Sequence, residues 1–244
     1  MAVEIAGKRV ALVTGANKGI GLEIARQLGR LGFVALIGAR DAGRGEAAAQ
    51  QLRGEGLTTE AIMLDVTDQQ SIDAAAATIA QRYGKLDVLV NNAAIAIDNA
   101  VPTELDVAVL RTTYDTNVFG VFAVTKAMLP LLRKAEAGRI VNMSSGAGSL
   151  KETSSPDWRL EWATLAYNTS KAAVNSITVH LATELKGTPI KINAVNPGYT
   201  ATDQNQFRGE KTVEQAAIAP VRYATLDADG PSGGFFDVNG PMDW

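Results

Sequence analysis

The chain has 244 residues, of which 46% are apolar and 20% charged, a globular balance that excludes a disordered protein. Its net charge of −3, with the basic residues scattered, offers no footprint for neutralising phosphates and excludes a nucleic-acid partner. Cysteine is absent, which removes disulfides, thiol catalysis and cysteine metal sites.

The opening "MAVEIAGKRVALVTG" carries an acid early and no long apolar run, so no signal peptide is expected. No apolar stretch reaches bilayer length, so no membrane association is expected and a soluble, cytoplasmic protein is the default.

In chain order the pattern alternates strand and helix. "RVALVTG" (9–15) reads as a strand and is followed by a helix near 19–31. "FVALIG" (33–38) precedes a helix near 43–54, and "EAIMLD" (60–65) precedes one near 69–83. In the latter, "DAAAATIA" suits a helix interior because alanine loses no side-chain entropy there. "LDVLVNN" (86–92) leads into a long helical pattern at 104–133, and "RIVNMSS" (139–145) into a polar, turn-rich stretch ending near residue 162. A helix near 163–186, the strand "KINAVNP" (191–197), a helix at 212–219 and the strand "GGFFDV" (233–238) complete the chain. Most strands are continuous apolar runs, as in parallel sheets covered on both faces. The expectation is one α/β domain over 1–244, a Rossmann fold with a doubly wound seven-stranded parallel sheet flanked by helices.

The turn "VTGANKGIG" (13–21) joins the first strand to the first helix. Gly15 permits a tight turn, Gly19 lets the backbone approach a phosphate, and Gly21 allows close helix–sheet packing. The helix N-terminus then attracts a pyrophosphate. The spacing is GxxxGxG rather than GxGxxG. After the second strand, "GARDAGRG" places Arg40, Asp41 and Arg44 at the adenosine end, and Lys18 adds a base from the adjoining turn. Three bases favour a 2′-phosphate and hence NADP(H), whereas Asp41 turned inward favours NAD(H).

"AYNTSK" (166–171) sets Tyr167 and Lys171 four apart on one helix face. Spacing alone does not separate a reactive pair from two surface tips. His180, the single histidine, sits in the amphipathic run "NSITVHLATEL" with no carboxylate cluster beside it, so no metal is assigned.

"TGANKGIG", "DVTD" (65–68), "NNAA" (91–94), "TNVFG" around Asn117, "VNMSS", "YNTSK" and "NPGYTATD" (196–203) occur in this order. Together they resemble the short-chain dehydrogenase/reductase family over nearly the whole chain, and within it the monomeric NADPH-dependent carbonyl reductases. The resemblance implies a catalytic set of Asn117, Ser145, Tyr167 and Lys171, with Ser144 as runner-up to Ser145. For the cofactor it implies Gly15, Asn17, Lys18, Gly19, Ile20 and Gly21 in the turn, and Asp65 and Val66 beside the adenine. Asn91 and Ala93 fall beside the adenosine ribose, and Pro197, Gly198, Thr200 and Thr202 at the nicotinamide and phosphates. Ala94 stands where the family usually has glycine.

The resemblance further implies that Tyr167 acts as proton donor to a ketone or aldehyde. Lys171 and an oxidised nicotinamide would lower the phenol pKa from near ~10, Ser145 would hold the carbonyl oxygen, and Asn117 would anchor a water. The segment 146–163 before Tyr167 is longer than is usual in the family. Its Trp158 and Trp162 either wall a substrate pocket or fill an apolar seam. Ile95, Tyr199 and Phe207 are further pocket candidates, and 199–220 is expected to form a substrate lid. A monomer is expected rather than a homodimer. The rival functions are an NAD-dependent alcohol dehydrogenase and a catalytically silent NADP(H)-binding sensor.

Overall fold

The structure is a computed structural model that describes residues 7–159 and 164–244. Seven parallel strands form one sheet in the order β3-β2-β1-β4-β5-β6-β7. They are β1 (Val10–Thr14), β2 (Val34–Ala39), β3 (Thr59–Met63), β4 (Val88–Asn91), β5 (Arg139–Met143), β6 (Lys191–Val195) and β7 (Phe235–Phe236). The helices are α1 (Gly19–Arg30), α2 (Ala42–Gly54), α3 (Gln69–Tyr83), α4 (Val107–Tyr114), α5 (Gly120–Leu132), α6 (Leu150–Thr153), α7 (Leu165–Glu184) and α8 (Val213–Ala224).

Side-chain alternation along β1 explains why both faces of the sheet are apolar. Ala11 and Val13 join one core with Ile24 and Leu28 of α1, Ala49 and Leu52 of α2, and Ala217 and Tyr223 of α8. Val10 and Leu12 join the opposite core with Ile72 and Ile79 of α3 and Val124 and Met128 of α5. The chain leaves β1 toward β2 and β3, then returns to place β4 on the other side of β1. A crevice therefore opens beyond the carboxyl ends of β1 and β4, where ligands bind in such sheets.

Two helices depart from the sequence pattern. The run at 104–133 is broken: Leu105 is extended, and Asp106 caps α4 by accepting the Ala108 N–H at 2.8 Å. Between α4 and α5, Asp115–Phe119 form one π turn. The last helix runs past its expected end at 219 to Ala224 despite Pro220. Its buried Ala216, Ala217, Val221 and Tyr223 supply packing that outweighs a proline penalty of about 3 kcal/mol. β7 keeps only two of the six residues expected to be strand. Among the described residues, no helix is long and apolar enough to cross a membrane.

Candidate active site

The glycine turn is built by close approach. Gly15 has φ +63°, and a Cβ there would lie 2.9 Å from Ala93 Cα. A Cβ on Gly21 would lie 2.4 Å from Asn92 Nδ2 and 2.7 Å from the Gly15 carbonyl oxygen. Thr14 Oγ1 accepts the Asn92 and Ala93 N–H groups, each at 2.9 Å, and Asn92 Nδ2 donates to the Thr14 carbonyl at 2.9 Å. The ends of β1 and β4 are thus stitched together, with the start of α1 pressed against them. Lys18, the N-cap of α1, makes no side-chain cap, and no acid occupies the first turn. An uncapped helix N-terminus behind a glycine turn fits a phosphate anion.

Past the carboxyl end of β2, Arg40, Asp41 and Arg44 are exposed. Asp41 Oδ1 accepts the Arg44 N–H at 2.8 Å and so serves as the N-cap of α2. The carboxylate whose inward turn would favour NAD(H) is committed to its own helix. The Asp65 carboxyl is held below its usual range by the Thr67 hydroxyl and N–H, with Arg40 adding a smaller attraction. Lys18 Nζ pairs with Asp203 Oδ2 at 2.5 Å, which joins the glycine turn to the loop after β6 and offsets part of that lysine's charge.

The Asn91 side chain turns inward, donating to Thr125 Oγ1 and to Asn142 Oδ1, both at 2.8 Å, which leaves its main chain toward the crevice. Asn142 is its register partner on β5 and donates onward to Thr178 Oγ1 at 2.9 Å. A buried polar row thereby links α5, β4, β5 and α7, with Asn91 Oδ1 left without a partner in it. Ala94 has no positive φ, so alanine in place of glycine brings no strain there.

Of the expected catalytic set, Ser145 follows β5 and Lys171 reaches its last carbonyl, while Asn117 meets α7 through Ser170. Tyr167 and Lys171 lie on one face of α7, and Lys171 Nζ is 5.5 Å from the centre of the Tyr167 ring. Lys171 is 3% exposed and donates to the Met143 carbonyl at 2.8 Å. Burial lowers its pKa to about 8. The Tyr167 phenol is pushed up by burial, and a hydrogen bond from the Ser145 hydroxyl opposes this. Burial therefore outweighs the lowering influence given for this phenol, which comes from the Ser145 hydroxyl.

Ser144 and Ser145 are told apart by geometry. Ser144 Oγ is buried and donates to Asn175 Oδ1 at 2.6 Å, whereas Ser145 is partly exposed, with its hydroxyl lowering the Tyr167 pKa. Asn117 is fully buried in the π turn. Its Oδ1 accepts the Ile95 N–H at 2.8 Å, and its Nδ2 donates to the Ile95 carbonyl at 2.8 Å and to Ser170 Oγ at 3.0 Å. Both amide protons and one lone pair of Oδ1 are thus engaged, and the contact with Ile95 fixes the loop after β4.

Residues 9–212 match the short chain dehydrogenase family. The chain belongs to that family. Human carbonyl reductase [NADPH] 1 is 38% identical, with 98% of this chain and 99% of that one aligned. Short-chain dehydrogenase/reductase 1 of Saponaria officinalis is 37% identical over 96% of each chain. Among solved structures, the NADPH-bound carbonyl reductase from chicken fatty liver superposes with a TM-score of 0.84 at 30% identity, covering 97% of this chain and 99% of that one.

On the open side of this dehydrogenase's crevice the candidate residues are less gathered. Tyr199 is 56% exposed and Phe207 66% exposed, the latter with φ +59°. The loop between them folds back on itself: Thr200 bridges Lys211, and the Tyr199 carbonyl accepts the Glu210 and Lys211 N–H groups. Gly198 has φ +83°, and the Pro197 carbonyl accepts Lys211 Nζ at 3.4 Å. Thr200 Oγ1 donates to the Gly198 carbonyl at 2.9 Å, and Thr202 caps the short turn Asp203–Asn205. Trp158 is partly buried, and its N–H donates to the Ser155 carbonyl; Trp162 lies outside the described residues. His180 is exposed, and no metal-binding cluster occurs among the described residues.

Three positioning residues escape a sequence reading. Asn92 belongs to the motif "NNAA" (91–94), yet its role in holding the glycine turn emerges only from contacts with Thr14 and Gly15. Asp98 caps α7 from the loop after β4, and Asn175 reaches the Ser144 turn from α7. Asn175 alone had a local signal: it lies on the helix stripe begun by Tyr167 and Lys171.

Proposed function

We propose that this short-chain dehydrogenase is an NADPH-dependent carbonyl reductase acting on a ketone or aldehyde. The observation that carries the reading is the Ser145–Tyr167 hydroxyl pair beside buried Lys171 at the end of β5. Its similarity to carbonyl reductases named for NADPH supports the cofactor. So do exposed Arg40 and Arg44, which have no ion-pair partner among the described residues, and the diversion of Asp41 to helix capping. The bound cofactor supplies the hydride to the carbonyl carbon.

The remaining work falls to the chain. Gly15, Asn17, Lys18, Gly19, Ile20 and Gly21 hold the pyrophosphate, Asp65, Val66 and Ala93 flank the adenosine, and Pro197, Gly198, Thr200 and Thr202 hold the nicotinamide end. Ser145 Oγ donates to the substrate carbonyl oxygen and orients it. Tyr167 Oη gives its proton to that oxygen as the C=O bond becomes an alcohol. The phenolate left behind is stabilised by Lys171 Nζ, whose pKa of about 8 keeps it largely ammonium at neutral pH. Asn117 acts by fixing the Ile95 loop. Residues 199–220 cover the substrate as a lid, with Tyr199 and Phe207 turning inward on closure, and the segment 146–163 selects which carbonyl compound enters.

The test is NADPH oxidation against a panel of ketones and aldehydes. Turnover of at least one carbonyl class, with NADH a poorer donor, supports the reading. Tight NADPH binding with no turnover of any carbonyl contradicts it.

A further inference from the structure

We propose that Asn175 is a positioning residue that sets Ser145 against Tyr167, an inference that rests on the catalytic roles assigned above. Asn175 follows Tyr167 and Lys171 on the same face of α7 and is 4% exposed. Its one amide holds both flanks of the turn that carries Ser145. On the near side Oδ1 accepts Ser144 Oγ–H at 2.6 Å, and on the far side Nδ2 donates to the Gly148 carbonyl at 3.2 Å.

Ser145 sits between these anchors as N-cap of the turn Gly146–Gly148, accepting the Ala147 N–H at 3.2 Å. The turn is pressed onto the helix, since a Cβ on Gly148 would lie 2.8 Å from the Lys171 main-chain carbon. Ser145 and Tyr167 thus stand on two elements that are locked together one helical turn beyond Lys171. Without Asn175, Ser144 Oγ retains only the Lys171 carbonyl at 3.5 Å, and the Gly148 carbonyl loses its side-chain donor.

Small displacements of reacting groups are costly to rate and nearly silent in cofactor affinity. Asn175→Ala is expected to lower kcat about 10- to 100-fold, with the Kd for NADPH changed less than about twofold. Ser144→Ala, which removes one anchor and disturbs the core less, is expected to show a smaller loss in the same direction.

The deciding experiment is a double-mutant cycle on the full-length enzyme, with folding checked by thermal melting. In a Ser145→Ala background, Asn175→Ala and Ser144→Ala should cost little further kcat, because the group they position is gone. Losses that simply multiply those of Ser145→Ala, or unchanged kcat in both single variants, overturn the proposal. If Ser145→Ala itself keeps full turnover, the catalytic reading fails and this inference fails with it. If Asn175→Ala does not fold, the cycle with Ser144→Ala decides alone.

Discussion

The carboxylate of Asp98 accepts the main-chain N–H of Tyr167 at 3.1 Å, 69 residues away in the chain, and the preceding Ala166 N–H at 2.7 Å. The helix bearing the proposed proton donor is therefore capped from the loop after β4; Thr164, its own N-cap residue, makes no such bond. That loop also holds Ile95, which Asn117 clamps from the π turn. One short loop thus ties α7 to the π turn.

Removing this cap has a stated cost. Asp98→Ala should destabilise the fold by about 2 kcal/mol, the worth of a good cap with charged hydrogen bonds. It should also lower kcat more than it raises the KM for NADPH, because the first turn of α7 carries Tyr167. Denaturant melts and steady-state kinetics check both parts, and Asp98→Asn, which keeps an acceptor, should recover much of each. Wild-type kcat in Asp98→Ala would show that the first turn holds its place without the cap.

Cofactor choice tests the two-arginine corner. Arg40→Ala should raise the KM for NADPH about tenfold or more while leaving that for NADH nearly unchanged, through lost charge-assisted bonds to a 2′-phosphate. Asp41→Ala should cost about 1 kcal/mol of stability as a lost cap yet leave the preference intact. A large gain or loss of NADH activity in Asp41→Ala would mean that this carboxylate serves the ribose.

Buried Lys171 gives stability a pH signature. Its folded pKa, about 8, lies below the ordinary lysine value of 10.5, so the unfolded chain binds more protons between these values. Stability from this group rises with pH across that window, and the cost of burying the ammonium is greatest below it. Lys171→Met should therefore be more stable than wild type at pH 7, by up to ~3 kcal/mol, with the gap closing toward pH 10. Comparing the two proteins at each pH cancels the opposite trend from Tyr167, whose raised pKa costs stability only above its unfolded value. A gap that does not change with pH would refute the burial effect.

Much of this site is legible in the chain because its elements are local. The glycine turn needs Gly15 and Gly21 where a Cβ would meet Ala93 or Asn92, and helix periodicity alone puts Tyr167 beside Lys171. The continuous apolar strands likewise announce a sheet covered on both sides. What local pattern does not carry is direction and distant partnership. Asn91 and Asn92 are adjacent and chemically identical, yet one faces the interior row and the other the glycine turn, as strand alternation requires. Asp41 is decided by a helix cap, and Ser144 is separated from Ser145 by Asn175, which follows it by 31 residues. The π turn at Asp115–Phe119 has no signature in a run that reads as one helix, and its Asn117 finds its partner, Ile95, 22 residues earlier in the chain.

If Tyr167 delivers the proton, Tyr167→Phe, which removes only that hydroxyl, should stop the reduction. Single-turnover reduction of a ketone by the variant, with NADPH binding measured alongside, tests it most directly. The reduction rate should fall at least about a thousandfold, at the scale of general acid catalysis, with the Kd for NADPH within about twofold of wild type. A variant that reduces the ketone at near wild-type rate would contradict it.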